Sequence, residues 1–275
     1  MTKHNSLVYI NLNFIQLSRS IAFKFSQVFD GVIWNLKVSD ERDLILIEVR
    51  EHEQRRVRFS ALDYKLDKFV WTNKEMEEPW WISLSGMAGN FALFTLYTDT
   101  NNPDKKAVLA YHICEEKVAW WKNDFTIEAI SGEYVRGATE KFGKQQLVLD
   151  ASTGAQVGPS LFHVRKEEKV RRPHHYPEGH PYFNTVKTFL NRKFNLLPTS
   201  ALEYLEHDSL IFISCYLQEN EMANYLFVLS PDGTLLLKEK LGEHLQGIGL
   251  DTFFILSGCL IFVRNKGELV SYKIL

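Results

Sequence analysis

An all-β fold, a β-propeller of five four-stranded antiparallel blades with six as the alternative count, is predicted by three features of this 275-residue chain. One pattern of apolar run, polar turn and second apolar run recurs in FSALDYKLDKFVW (59–71), VLAYHICEEKVAW (108–120), QLVLDASTGAQV (146–157), YLFVLSPDGTLLLK (225–238) and CLIFVRNKGELVSYKI (259–274). The turns STG, SPDG and NKG place Gly where a tight hairpin calls for positive φ, beside Ser, Asp or Asn that bond the local backbone. The runs are apolar at consecutive positions and rich in Val, Ile, Phe, Tyr and Thr, so they read as strands covered on both faces.

Each recurrence is preceded by another apolar run: DLILIEV (43–49), NFALFTLY (90–97), EYVRGATEKF (133–142), DSLIFISCYL (208–217) and TFFILS (252–257). Most of these follow a further short segment, such as VIWNLKVS, WISLSG, TIEAISG or ALEYLEH. Four strands in roughly 35 to 50 residues is the period of propeller blades. Radial stacking covers both faces of every sheet and leaves only short edges. The expected blades span 32–78, 79–124, 125–160, 201–241 and 243–275 of a single domain, 1–275. IAFKFSQV, within residues 1–31, is a strand that closes the ring against the last blade. Residues 159–200 are an insertion with a short helix around FNTVKTFLNRKF, or a degenerate sixth blade.

LVLDASTGAQV and FSALDYKLDKFVW resemble the PQQ-type (quinoprotein) propeller repeat, in which an apolar strand, Leu-Asp, a polar pair and Thr-Gly lead to an apolar strand ending in Trp. Asp150, Thr153 and Gly154 match the turn, and Asp63 and Trp71 match its two ends. Other repeats depart from it: His112 stands at the Asp position, and residues 231–233 are Pro-Asp-Gly. The resemblance covers about two-thirds of the chain. It implies the propeller fold, a Trp at positions 71 and 120 that docks one blade on the next, and an uncharacterised bacterial family. It also raises quinoprotein dehydrogenase activity. Such enzymes have more blades, calcium and often a vicinal disulfide, whereas this chain has no adjacent cysteines and is expected to carry no signal peptide, since Asn, Gln, Ser and Arg break the apolar residues of 1–20.

Hydrophobic residues at 45%, charged residues at 24% and a formal net charge of −2 describe a globular protein without the footprint of a nucleic-acid or anionic-membrane binder. The basic runs EQRRVRF and KVRRP have acidic neighbours and read as solvated faces. No run approaches the roughly 18 apolar residues of a membrane span. Cys114, Cys215 and Cys259 sit in or beside apolar runs without CxxC spacing, and are expected as buried thiols of a cytoplasmic protein.

Three groups are candidate sites. In RRPHHYPEGHPYF (171–183), His174, His175, Glu178 and His180 carry the nitrogen and oxygen donors zinc prefers. Adjacent histidines on an extended chain point to opposite sides, and Pro173, Pro177 and Pro181 oppose regular structure. The stretch is therefore expected as a solvent-facing loop at the propeller rim, open to ligand, with no metal; His174 and His180 are the ligands if one binds. Trp81 and Trp121, less constrained than the packing pair Trp71 and Trp120, are the exposed aromatic candidates. Glu48, Glu128, Glu133 and Glu140 lie in or beside strands, where a charge needs a reason.

No GxGxxG, P-loop, GxSxG or HExxH pattern is present. The expected function is a non-enzymatic scaffold that binds a protein or small ligand through blade-connecting loops, without a cofactor. A carbohydrate-active channel, glycosidase or lectin-like, that uses carboxylates and Trp is the alternative.

Overall fold

The computed structural model describes residues 19–39, 41–139, 145–163 and 169–275. After β1 (Ile21–Val28), the first sheet comprises β2 (Val32–Val38), β3 (Leu44–Glu51), β4 (Arg56–Asp63) and β5 (Lys68–Lys74). The second comprises β6 (Ile82–Ala88), β7 (Phe91–Tyr97), β8 (Lys106–His112) and β9 (Lys117–Asn123). The third holds β10 (Thr126–Ser131), β11 (Tyr134–Thr139), β12 (Gln145–Asp150) and the two-residue β13 (Gln156–Val157). A 3-10 turn (Pro159–Leu161), β14 (Val170–Arg171), β15 (His174–Pro177) and α1 (Pro181–Phe194) come next. The fourth sheet joins β15 to β16 (Pro198–His207), β17 (Leu210–Gln218), β18 (Met222–Leu229) and β19 (Leu235–Gly242). The fifth holds β20 (Phe253–Leu256), β21 (Cys259–Arg264) and β22 (Glu268–Ile274).

Within each sheet the strands follow chain order as an antiparallel meander. The exception makes the architecture: β1 pairs antiparallel with β22, Ile21 opposite Ile274 and Val28 opposite Glu268, so the first described strand completes the last sheet. The first strand of the second sheet, β6, neighbours both β2 and β10, the first strands of the first and third sheets; in a radial stack these strands form the axis side.

The consecutive apolar residues of LILIEV now have a cause. Leu44 and Leu46 pack with Phe59, Ile82 and Phe94 of the first and second sheets, while Ile45 and Ile47 pack with Leu256, Ile261 and Leu269 of the fifth. Equivalent cores join the second sheet to the third, through Leu93, Phe125, Val135 and Leu149, and the fourth to the fifth, through Phe212, Leu226, Phe253 and Phe262. Each fully buried side chain of this kind contributes about 1.5–3 kcal/mol relative to exposure. The other face of the fourth sheet is covered by α1, whose Phe183 and Leu190 pack on Ile213, Cys215 and Phe227. The outer face of the third sheet instead presents Tyr134, Arg136 and Gln146, with Phe162 under the Arg136 guanidinium at 4.8 Å.

Tryptophan docking follows the repeat. Trp71 Nε1 donates to Ile113 O of the second sheet at 3.0 Å, and Trp120 Nε1 donates to Ala151 O of the third at 2.7 Å. Gly154 has φ +69°, and a Cβ there would meet the Trp120 ring at 2.7 Å, so both the turn and the docking ring require glycine. In the NKG turn the positive φ falls on Asn265 and Lys266 instead; Gly267 is needed because a Cβ would meet Gly31 O at 2.9 Å.

Candidate functional site: an axial cavity

The axis-side strands share an irregularity. Pairing registers slip between Ile33 and Asn35 in β2, between Leu84 and Gly86 in β6, and between Ile127 and Ala129 in β10. A bulge places two residues opposite one and re-aims a side chain. The extra residues are Trp34, Ser85 and Glu128. Ser85 and Glu128 line a cavity of about 590 Å³ bounded by these three strands, together with Lys37, Ser39, Thr95, Ser131 and the apolar Met87, Ile127, Ile130 and Phe162.

Local hydrogen bonds hold the lining. Ser85 Oγ and Thr95 Oγ1 are 2.7 Å apart, Gln146 Nε2 donates to Glu128 Oε2 at 3.2 Å, and Ser131 Oγ donates to His163 O at 2.5 Å. Ser39 Oγ accepts from the backbone N–H of Glu41 and Arg42, which fixes the β2–β3 turn. Gly89 N donates to Gly132 O at 3.1 Å and ties two turns together at the mouth. Gly86 permits β6 and β10 to close up, since a Cβ there would meet Ile130 Cδ1 at 2.7 Å.

The carboxylates expected in strands take different roles. Glu48 is fully buried and accepts from Arg50 Nε (2.7 Å), Leu84 N (2.8 Å) and Ser83 Oγ (3.2 Å), so its charge is spent joining the first sheet to the second. Sequence reasoning missed its counterpart, Glu203, which accepts from Asp251 N (2.6 Å) and from Thr252 N and Oγ1 (2.9 and 2.6 Å) at the entry to the fifth sheet. Burial raises the Glu203 pKa against the lowering effect of those donors. Glu128 lines the cavity, Glu133 is exposed in the β10–β11 turn, and Glu140 lies outside the described residues.

The histidine stretch is not a rim loop. β14 pairs with β20 and β15 with β16, so residues 170–177 run along the axis-side edges of the fifth and fourth sheets. An edge strand tolerates Pro177 at its end, and Pro181 occupies the first turn of α1, where its missing N–H costs nothing. His174 and His175 oppose Tyr204 and Glu203 and therefore face opposite sides. His180 caps α1, its Nδ1 accepting from Tyr182 N at 3.2 Å, and stacks on Tyr176 at 5.0 Å. Glu178 accepts from Ser200 N at 3.2 Å. No group of three His, Cys, Asp or Glu side chains suited to a metal occurs among the described residues.

Trp81 and Trp121 are 44% and 47% exposed but stand on different elements, before β6 and within β9. Cys215 and Cys259 are buried, and burial pushes the Cys215 thiol up to about 12. Cys114 is exposed, contrary to expectation, because it falls in the β8–β9 turn rather than in a strand. The sequence signal for Glu128 was a carboxylate inside a strand-like run, whereas Ser85 carried none. Lys37, Thr95 and Ser131 left no such mark.

Antiparallel four- and five-stranded sheets in chain order, sheet-to-sheet cores and a first strand completing the last sheet define a β-propeller. A model described as "Domain of unknown function (DUF4905)" matches residues 38–120, and together with the docking tryptophans this bears out the resemblance to an uncharacterised PQQ-like propeller family. No curated protein matches the chain. Among solved structures, BamB from Moraxella catarrhalis is similar at 11% identity, 88% of this chain, 86% of that one and a TM-score of 0.34. The propeller domain of the Trilobed protease from Pyrococcus furiosus is similar at 11% identity (89% and 66%, TM-score 0.34). A europium-containing methanol dehydrogenase is similar at 13% identity (90% and 52%, TM-score 0.32). At these scores the topology, not the likeness, carries the fold. Among the described residues no helix is long and apolar enough to cross a membrane.

Proposed function

We propose that the five sheets are five blades of a non-enzymatic, cytoplasmic binding scaffold, and that the axial cavity takes a small polar ligand without a resident cofactor. The observation that carries this is the pair of matched bulges turning Ser85 and Glu128 into one cavity. Its volume lies within the roughly 300–1,000 Å³ of small-molecule sites, and its hydroxyls, carboxylates and ammonium group supply the few polar groups that orient a ligand.

Thermal unfolding of the purified chain against a panel of amino acids, short peptides, sugars and dicarboxylates tests the proposal. A bound ligand raises the midpoint in proportion to RT ln(1 + [L]/Kd), and Ser85→Phe, which fills the cavity, abolishes that rise. A panel without any shift, or a shift untouched by Ser85→Phe, counts against it.

A protein partner at the rim is the second reading, favoured by one observation. Trp34, 58% exposed, lies beside the Arg50 guanidinium, which is also 5.1 Å from Trp80. Arg50 is anchored by Glu48 and by Ile82 O at 2.6 Å, so the aromatic cluster is held rigidly at the junction of two sheets.

A further inference from the structure

We infer that the axial cavity recognises a zwitterion, a free amino acid or short peptide whose ammonium group meets Glu128 and whose carboxylate meets Lys37. The inference rests on the cavity being a ligand site, as proposed above, and adds the class of ligand.

Charge placement carries it. Lys37 is the penultimate residue of β2 and Glu128 is the bulged residue of β10, two strands that flank β6. Both line the same cavity, and no ion pair joins either to another described residue; Glu128 accepts from the neutral Gln146 amide. The remaining charged group of the lining, Glu41, is engaged in an interaction of its own. Opposite charges on opposing walls discriminate by sign. An inorganic anion gains Lys37 but is repelled by Glu128, and a simple amine or metal ion gains Glu128 but is repelled by Lys37. A neutral sugar leaves both charges unanswered. Only a ligand carrying both signs at its two ends satisfies both walls, and the Ser85–Thr95 hydroxyl pair between them suits the polar atoms of a peptide unit.

Calorimetric titration of the full chain with glycine, glycyl-glycine and triglycine, with the N-acetyl and C-amide forms of glycyl-glycine, and with maltose tests the assignment. At least one zwitterion is expected to bind at one site per chain, weakened tenfold or more by acetylation or amidation. Lys37→Met should weaken the zwitterion tenfold or more while leaving the amide unchanged, and Glu128→Gln should do so while leaving the N-acetyl form unchanged. Both side chains reach solvent, so these variants are expected to keep the wild-type unfolding midpoint, which is measured alongside. Maltose binding that Ser85→Phe abolishes, with no zwitterion bound, overturns the ligand class and leaves the cavity as a site. Absence of binding by every probe overturns the ligand class, and if the wider thermal panel is also silent, the site falls with it.

Discussion

Trp71 shows how one side chain serves two levels of structure. Its ring is buried against the second sheet, 6.1 Å from Tyr111, while its Nε1 donates to Ile113 O, so apolar burial and one directed bond fix the angle between neighbouring sheets. Trp71→Phe keeps most of the burial and strands a buried carbonyl, at a cost of about 1–3 kcal/mol. Trp71→Ala costs about 3–5 kcal/mol. Denaturant unfolding measures both, and an unchanged midpoint in the alanine variant would refute the docking role. At this scale the sequence was informative where one residue type repeats at equivalent places, as Trp71 and Trp120 do. It was silent where function depends on a pairing slip: nothing in SLSG distinguishes a regular strand from one that turns Ser85 toward the axis.

Among the elements, α1 departs furthest from the repeat. It covers a sheet face that elsewhere meets another sheet, and its apolar Phe183 and Leu190 do the work done in other junctions by strand residues. Leu190→Ala is expected to destabilise the protein by about 2–5 kcal/mol, whereas exposed Lys193→Ala should stay within about 0.5 kcal/mol. Equal effects of the two would show that the helix is not part of the core. The helix itself was legible in FNTVKTFLNRKF because apolar residues recur at helical spacing. The strand nature of HHYP was not: prolines and polar residues mask extended backbone when hydrogen bonds to β16 and β20, supplied from distant sequence, decide the conformation. Turn chemistry was partly legible, since Gly154 takes positive φ as predicted while Gly267 serves close approach instead.

For the whole molecule, the repeat, the hairpins and the closing strand IAFKFSQV were readable because each rests on a local pattern repeated along the chain. Convergence of side chains at the axis was not, since it depends on where five sheets sit relative to one another. The claim on which the rest depends is that the chain closes on itself through β1 and β22. Ala22 lies directly opposite Lys273 in that pairing, close enough for a disulfide. The most direct measurement is oxidation of the Ala22→Cys/Lys273→Cys pair in a Cys114→Ser/Cys259→Ser background, since Cys259 also lies opposite Lys273, followed by thermal unfolding. Closure predicts a near-complete intramolecular disulfide and a raised midpoint that reducing agent reverses, because the bond constrains a loop of almost the entire unfolded chain. Failure of the cross-link to form in folded protein, while each single variant keeps the wild-type midpoint, would contradict ring closure.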